Sequence, residues 1–384
     1  MNTDTNYKKS YPLPPITADR PDFLQHWIEL SSSAVEQNAA QFKQWLGPQT
    51  HIAAVIKSNA YGHGLIEMAY LYEQCDNIAA LCVINLSEAI IIKQQLQTCK
   101  PIFVIGYLDA PYDFIIEYNL EVILYDFNIA LQLNEVGKKH QQPIKVHVKF
   151  DTGMSRLGVV ASQLDQFLEQ LKTLDWITIC GIFTHFAEGY HEKRTHEQEA
   201  VFAQIEALNY QTHASNSHGA LTTKYKHYSF ARIGSGLYGY LQKHTSEEQG
   251  KLKPVLSLKT KILQIKSVAA GALIGYDGLF QAPTNMTIAI IAIGYHEGLD
   301  ARLSNTGSVI IHGQLAPIIG RVCMNLTIID ISKIPDCSSG QIVTLLGKEG
   351  NISLSAYDWS VITKASVYNH LTKLSMTIPK IIVE

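Results

Sequence analysis

The stretch His51-Ile52-Ala53-Ala54-Val55-Ile56-Lys57-Ser58-Asn59-Ala60-Tyr61-Gly62-His63-Gly64 is an apolar, partly β-branched run that delivers one lysine to a glycine-rich loop. The run reads as a buried strand, and its period breaks at Asn59, Gly62 and Gly64. Lys57 therefore falls at a strand's C-terminal end. A lysine withdrawn from water there loses its proton readily, and a neutral amine forms Schiff bases. The alternative is an ammonium that reaches solvent from a strand end while its stem packs.

Working outward, short apolar runs alternate with longer segments of helical period from about residue 50 to 233. The runs are Ala53–Lys57, Ala79–Ile84, Ile102–Ile105, Val122–Tyr125, Val146–Phe150, Ile179–His185, a weaker one near Thr212–Ala214, and Phe230–Ile233. Eight strands alternating with helices argue for parallel βα units, and a segment of this size fits a (β/α)8 barrel. A doubly wound open sheet is the alternative, weakened because no GxGxxG follows the first strand. Barrels of this kind carry function on the C-terminal rim of their strands. Lys57, Lys149, Asp151, His185, Asn216, Ser217, Arg232 and Gly234 all fall at such ends.

After Pro254 the pattern changes to β-rich runs at Val255–Val268, Met286–Ile293, Ser308–His312, Ala316–Ile331 and Gln341–Leu345. The expected organisation is a leader over 1–24, an α/β barrel over 25–250 and a mostly-β C-terminal domain over 251–384. The boundary lies in the polar stretch Gln242–Pro254.

Composition bounds the function. With 384 residues, 46% of them hydrophobic, the chain has material for a large core. A net charge of −3 with scattered Lys and Arg makes nucleic acid a poor partner. No apolar run approaches the roughly 18 residues that span a bilayer. The first residues show no apolar signal core, so the expected location is the cytoplasm. The six cysteines lack CxxC spacing, and His185, His191 and His196 match no helix face, so no metal is expected.

AVIKSNAYGHG resembles the cofactor-lysine motif of bacterial alanine racemases. Further segments follow in that family's order: KFDTGMSRLG (149–158), GIFTHF (181–186), SNSHGAL (215–221), ARIGSGLYG (231–239), GYDG (275–278), IGYHEG (293–298) and GRVCMN (320–325). The resemblance covers roughly residues 25 to 380. It implies pyridoxal 5'-phosphate as cofactor, alanine as substrate, a homodimer with the site shared between subunits, and D-alanine supply for peptidoglycan.

It also implies roles for individual residues. Lys57 would carry the cofactor and serve as the acid/base on one face of the substrate; Tyr276 of the second subunit would serve the other. Tyr61, Asn216, Ser217, Gly234 and Ser235 would hold the cofactor, most of them at its phosphate, in loops whose glycines and hydroxyls suit an anion. Arg232 would face the pyridine nitrogen, leaving it unprotonated, since an arginine keeps its proton. His185 would link tyrosine to Arg232. Arg156 would contact cofactor and substrate carboxylate, Lys149 would be carbamylated and orient Arg156, Met324 would offer a backbone group to the substrate, and Tyr295 would line the entrance.

Two departures stand out: Asn325 replaces the usual aspartate after Cys-Met, and Met376 stands where a pocket tyrosine is expected, which suggests a looser pocket and a broader-specificity amino-acid racemase. The remaining readings are an amino-acid decarboxylase of the same architecture, against which Arg232 argues, and a non-catalytic cofactor binder, which would lack the second domain.

Overall fold

In the computed structural model, residues 22–188, 192–221, 228–241 and 246–384 are described. Two large sheets organise them. Strand β1 (His26–Ser31) precedes a barrel built from β2 (His51–Val55), β3 (Ile78–Asn85), β4 (Ile102–Tyr107), β5 (Glu121–Leu124) and β6 (Ile144–Asp151). A two-residue β7 (Val159–Val160) extends β6, and β8 (Ile177–Phe183), β9 (Gln211–His213) and β10 (Phe230–Ile233) complete the set. Apart from the β7 appendage, each strand pairs in parallel with its neighbours, and the ring closes through β10 on β2 and β5 on β6. The expected eight-stranded α/β barrel is thus present.

The apolar runs have their physical reason in this closure. Barrel strands are covered by helices outside and by side chains inside, so both faces are buried. Helices on the outer ring show the matching one-sided pattern: Ala161–Leu171 buries Leu164, Phe167, Leu168 and Leu171. Asp126 caps helix Phe127–His140 by accepting from the N–H groups of Asn128 and Ile129.

The second sheet is organised around the long strand β11 (Leu256–Val268). A small ribbon of β12 (Leu273–Ile274) and β13 (Phe280–Gln281) follows, then β14 (Met286–Ile291), β15 (Ser308–Ile311), β16 (Gln314–Pro317), β17 (Thr327–Asp330), β18 (Ile342–Glu349), β19 (Ile352–Leu354) and β20 (Lys380–Val383). β11 pairs antiparallel with β1, β14 and β18. The run expected over Ala316–Ile331 splits into β16 and β17, because Gly320 adopts φ +71° and the chain turns out between them.

β1 pairs with β11 and β20, so residues 26–31, assigned above to the barrel segment, belong spatially to the second sheet. The chain crosses from that sheet directly into helix Ser32–Leu46, which Ser31 caps. Most of the leader and residues 242–245 of the boundary stretch lie outside the described residues. No described helix is long and apolar enough to cross a membrane.

Asn38, fully buried in that helix, ties the two domains together. Its amide donates to the carbonyls of Leu237 (3.1 Å) and Lys253 (2.8 Å) and its oxygen accepts from Lys253 N–H (2.8 Å). Asn38→Ala strands those buried groups and should cost about 1–3 kcal/mol in urea unfolding. A wild-type midpoint would show that the connection carries no stability.

Candidate active site

A cavity of about 470 Å³ opens at the C-terminal rim of the barrel. Its lining includes Lys57, Tyr61, Lys149, Arg156, His185, Asn216, Ser217, Arg232, Gly234 and Ser235, the barrel-borne residues singled out in the sequence. They come from separate βα units, which is what parallel closure of the barrel achieves.

Lys57 lies two residues beyond β2, not in it. The next four residues, Ser58, Asn59, Ala60 and Tyr61, all adopt left-handed φ of 50–56°. Each non-glycine residue there costs roughly 1–2 kcal/mol, so the turn needs external support. Glu88 supplies it: its carboxylate accepts from Ser58 N–H at 2.6 Å and Ile84 N–H at 3.0 Å, with a longer contact to Asn59 N–H at 3.4 Å. Asn59 in turn accepts from Leu65 N–H at 2.9 Å. Sequence reasoning missed Glu88. Its one signal is the Asn85-x-x-Glu88 spacing of a helix cap; Asn85 does cap Glu88 N–H at 3.0 Å, but the glutamate reaches away to the lysine turn.

The charges around the cavity are mostly positive. Burial, and then the nearby Arg156, lower the Lys57 pKa, with Glu88 opposing. Lys149 is fully enclosed with its ammonium nitrogen 4.7 Å from the Phe183 ring centre; burial, Arg232 and Arg156 hold its pKa well below the ordinary lysine range. Asp151 gathers the N–H groups of Gly153, Met154 and Ser155 on one oxygen at 2.9–3.1 Å and so shapes the loop bearing Arg156.

Arg232 on β10 is buried. It donates to the carbonyls of Thr184 (2.6 Å) and His213 (2.8 Å) and to His213 Nδ1 (2.9 Å), and lies 3.4 Å from His185 Nδ1. Burial brings its pKa down to about 10, which leaves it cationic at neutral pH. Burial and then the Arg232 charge push His185 and His213 well below the ordinary histidine value.

Ser217 and the 233–236 loop form the other wall. Ser217 Oγ accepts from the N–H groups of Gly234 and Gly236, each at 3.2 Å. At Gly234 a Cβ would lie 2.6 Å from the Tyr61 hydroxyl, so glycine is required for this close approach. The donor set fits pyridoxal phosphate: an amine of lowered pKa, a cationic guanidinium across the cavity, and a glycine cradle rimmed by the hydroxyls of Tyr61, Ser217 and Ser235.

The second domain contributes Tyr368 and Thr372 to the same cavity. Tyr368 lies 6.1 Å from the Tyr61 ring, and both line the cavity. Met376, by contrast, is 73% exposed and does not line the cavity. The expectation that Met376 costs the pocket its tyrosine is therefore corrected. The motif was registered on the Ile378-Pro379-Lys380 stretch, whereas the pocket tyrosine sits on helix Val367–Leu371. Asn325 also has a role: its amide donates to Glu297 at 2.7 Å, and Glu297 accepts from Gly294 N–H at 2.8 Å. A second carboxylate at 325 would repel Glu297.

Tyr276, Tyr295 and Met324 do not line this cavity. They share one face of the second domain, with Tyr295 N–H donating to Cys323 carbonyl at 3.0 Å and Asp277 paired with Arg321 at 2.8 Å. All three are exposed, Tyr276 by 66%. Among the described residues no cluster of three or more His, Cys, Asp or Glu is arranged to hold a metal.

A closed parallel barrel with a lysine, a buried guanidinium and a glycine cradle on its rim, completed by a β domain, defines a two-domain barrel protein with a lysine-centred site. The sequence model described as alanine racemase, N-terminal domain matches residues 30–242, and that for the C-terminal domain matches 255–382. A relative described as alanine racemase from Nostoc sp. is 34% identical over 348 residues, covering 87% of this chain and 89% of its own. One from Leptospira interrogans is 33% identical, covering 94% and 97%. Among solved structures, alanine racemase from Clostridium difficile 630 is similar with a TM-score of 0.86 at 28% identity, covering 94% of this chain and 96% of its own. That from Bacillus anthracis with bound L-Ala-P gives 0.85 at 27%, covering 95% and 96%. This chain belongs to the alanine racemase family, a family of isomerases.

Two measurements test the site's construction. Glu88→Ala leaves three backbone N–H groups without their acceptor and should cost about 1–3 kcal/mol of stability. Unchanged unfolding would mean that the left-handed turn holds without Glu88.

The second concerns acid. His63, buried against Tyr238 with a 4.4 Å ring separation, is pushed from 6.5 down to about 4 by burial. Like His185 and His213 it stays neutral in the fold. Between pH 6.5 and 4 the unfolded chain therefore binds protons that the folded chain refuses, and stability is lost as pH falls through that window. Each such histidine contributes a slope of up to about 1.4 kcal/mol per pH unit. Equal urea midpoints at about pH 7.5 and about pH 5.5 would show that these rings are not held neutral.

Proposed function

We propose that the protein is a pyridoxal-phosphate-dependent alanine racemase acting as a homodimer, interconverting L- and D-alanine. One observation carries the reading: a lysine of lowered pKa and a buried arginine line one cavity together with a glycine cradle. When bound, the cofactor supplies an electron sink that acidifies the substrate α-hydrogen. Ser217, Gly234, Ser235 and Tyr61 would hold its phosphate end, with Asn216 beside them in the cofactor site. Arg232, which keeps its own proton and only donates, would face the ring nitrogen as a hydrogen-bond donor and leave that nitrogen unprotonated.

Lys57 Nζ takes or gives the α-proton on one face, and Tyr276 Oη of a second copy acts on the other. Each turnover moves one proton from carbon to the first group and one from the second group to carbon, so configuration inverts. Arg156 binds the substrate carboxylate, Tyr295 and Met324 complete the entrance, and His185 joins the tyrosine to Arg232.

A second copy follows from incompleteness: Tyr276, Tyr295 and Met324 form an exposed, partly apolar face that their own cavity does not use. Lys149, whose pKa burial and the Arg232 and Arg156 charges hold well below the ordinary lysine range, is suited to add CO2 and release a proton, giving a carbamate that pairs with Arg156. Cytoplasmic supply of D-alanine for peptidoglycan is the matching physiological role. Broader specificity loses its ground, since it rested on Met376 and Tyr368 fills the pocket. A decarboxylase is disfavoured because a cation occupies the position of Arg232.

The circular dichroism of L-alanine should decay to zero with cofactor-loaded protein and stay constant with Lys57→Ala or with Tyr276→Phe. Mixing those two inactive variants in equal amounts should restore about a quarter of wild-type activity, because half the dimers are hybrids holding one intact site of two. A constant trace from wild type defeats the racemase reading; no recovery on mixing defeats the shared site.

A further inference from the structure

A chain of buried polar side chains runs from the cavity floor down through the barrel, and neither the rim chemistry nor the motifs account for its lower half. Arg232 Nη1 donates to His213 Nδ1 at 2.9 Å; His213 Nε2 lies 3.0 Å from His147 Nδ1; His147 Nε2 lies 2.7 Å from Glu121 Oε2. Arg232, His213 and His147 are 0–3% exposed, in an interior such barrels fill with branched apolar residues. Phe183 stacks on His213 and Phe103 packs on His147, each with ring centres 4.7 Å apart. Gly181 makes the room, since a Cβ there would lie 2.5 Å from His147 Nδ1.

The geometry allows one proton arrangement. A guanidinium only donates, so His213 Nδ1 accepts and the ring's proton sits on Nε2. His213 Nε2–H then donates to His147 Nδ1, whose ring carries its own proton on Nε2 and donates to the Glu121 carboxylate. A doubly protonated His147 would set Nδ1–H against His213 Nε2 and require an imidazolate between two donors. Arg232's remaining partners are the carbonyls of Thr184 and His213 and the ring of His185. No carboxylate touches it among the described contacts.

We infer that His147 and Glu121 are positioning residues for Arg232, forming with His213 a one-directional relay that fixes the guanidinium and both imidazole tautomers while keeping the counter-charge three hydrogen bonds away. A carboxylate in direct contact would neutralise the cation where it faces the cavity; the relay satisfies its hydrogen bonds and leaves its charge in place. The groups facing it from other elements, Lys149, His185 and Arg156, bring no carboxylate to it, and a carbamate on Lys149 would pair with Arg156. The proton arrangement stands on geometry alone, and its catalytic consequence rests on the racemase reading.

The test uses 15N-histidine NMR of the cofactor-loaded protein, with His147→Gln and His213→Gln to assign the rings. Both rings should show a protonated Nε2 and an unprotonated Nδ1. An imidazolium or the opposite tautomer in either ring overturns the relay. Glu121→Leu, which removes the terminal acceptor, should alter the His147 signals and lower kcat about tenfold with little change in KM, the scale on which outer partners of a functional histidine act; Glu121→Gln, which retains an acceptor oxygen, should recover most of both. Wild-type kcat in folded Glu121→Leu overturns the positioning role. If the protein racemises nothing, the racemase reading fails while the ring signals still decide the relay.

Discussion

A buried guanidinium organises this molecule. Burying a charge is costly unless every donor finds an acceptor, and Arg232 finds carbonyls and imidazoles supplied by the ends of two neighbouring barrel strands. The same charge then governs its neighbours. Burial removes the solvation of a cation, and together with the Arg232 charge it holds the pKa values of Lys149 and the two nearest histidines well below their ordinary ranges. A cationic site therefore contains unprotonated bases, the condition for acid/base work at neutral pH, and leaves a place for anions to complete it.

Lys57 depends on a different constraint. A lysine on a strand would point where the strand's alternation sends it, into the barrel or away from it. The left-handed turn after Ile56 breaks that alternation, and Glu88 in the next βα unit holds the backbone there. Strain at the turn is thus carried by a helix cap residue in the neighbouring unit, and the Val55 carbonyl is anchored by Tyr238 at 2.9 Å. The position of the amine is a property of several units of the barrel.

Much of this was legible in the sequence. Parallel strands covered on both faces read as apolar runs, which is why Phe230–Ile233 was bounded as it is found and most other strands to within two or three residues. The rim rule located the cavity residues because chemistry in a barrel collects at one end of every strand. What stayed hidden depends on pairing across long sequence separations. β1 and β20 meet as Ile28 beside Lys380, and nothing near either residue announces the other. Glu88 is missed because its spacing from Asn85 is that of an ordinary capping pair. Tyr368 was missed because its helix lies just before the proline stretch on which the motif was registered, and His147 and His213 because a histidine inside an apolar strand carries no sign of which ring it touches.

The second domain serves two directions at once, and this explains why the chain carries it. Through β11 and β20 it clasps β1 and so fixes where the barrel begins. Its helix Val367–Leu371 closes the cavity of the same chain with Tyr368. Its ribbon turn sends Tyr276 outward, stiffened by Gly275 at φ +75°, by the left-handed Asp277 and by that residue's ion pair to Arg321. Tyr276 on this braced turn is 66% exposed, as the proposed shared site requires. The barrel, for its part, presents a cavity whose described lining has an amine on one side and no matching acid/base tyrosine from GYDG on the other. The two incomplete surfaces are complementary in chemistry, and a twofold axis would satisfy both with a single contact.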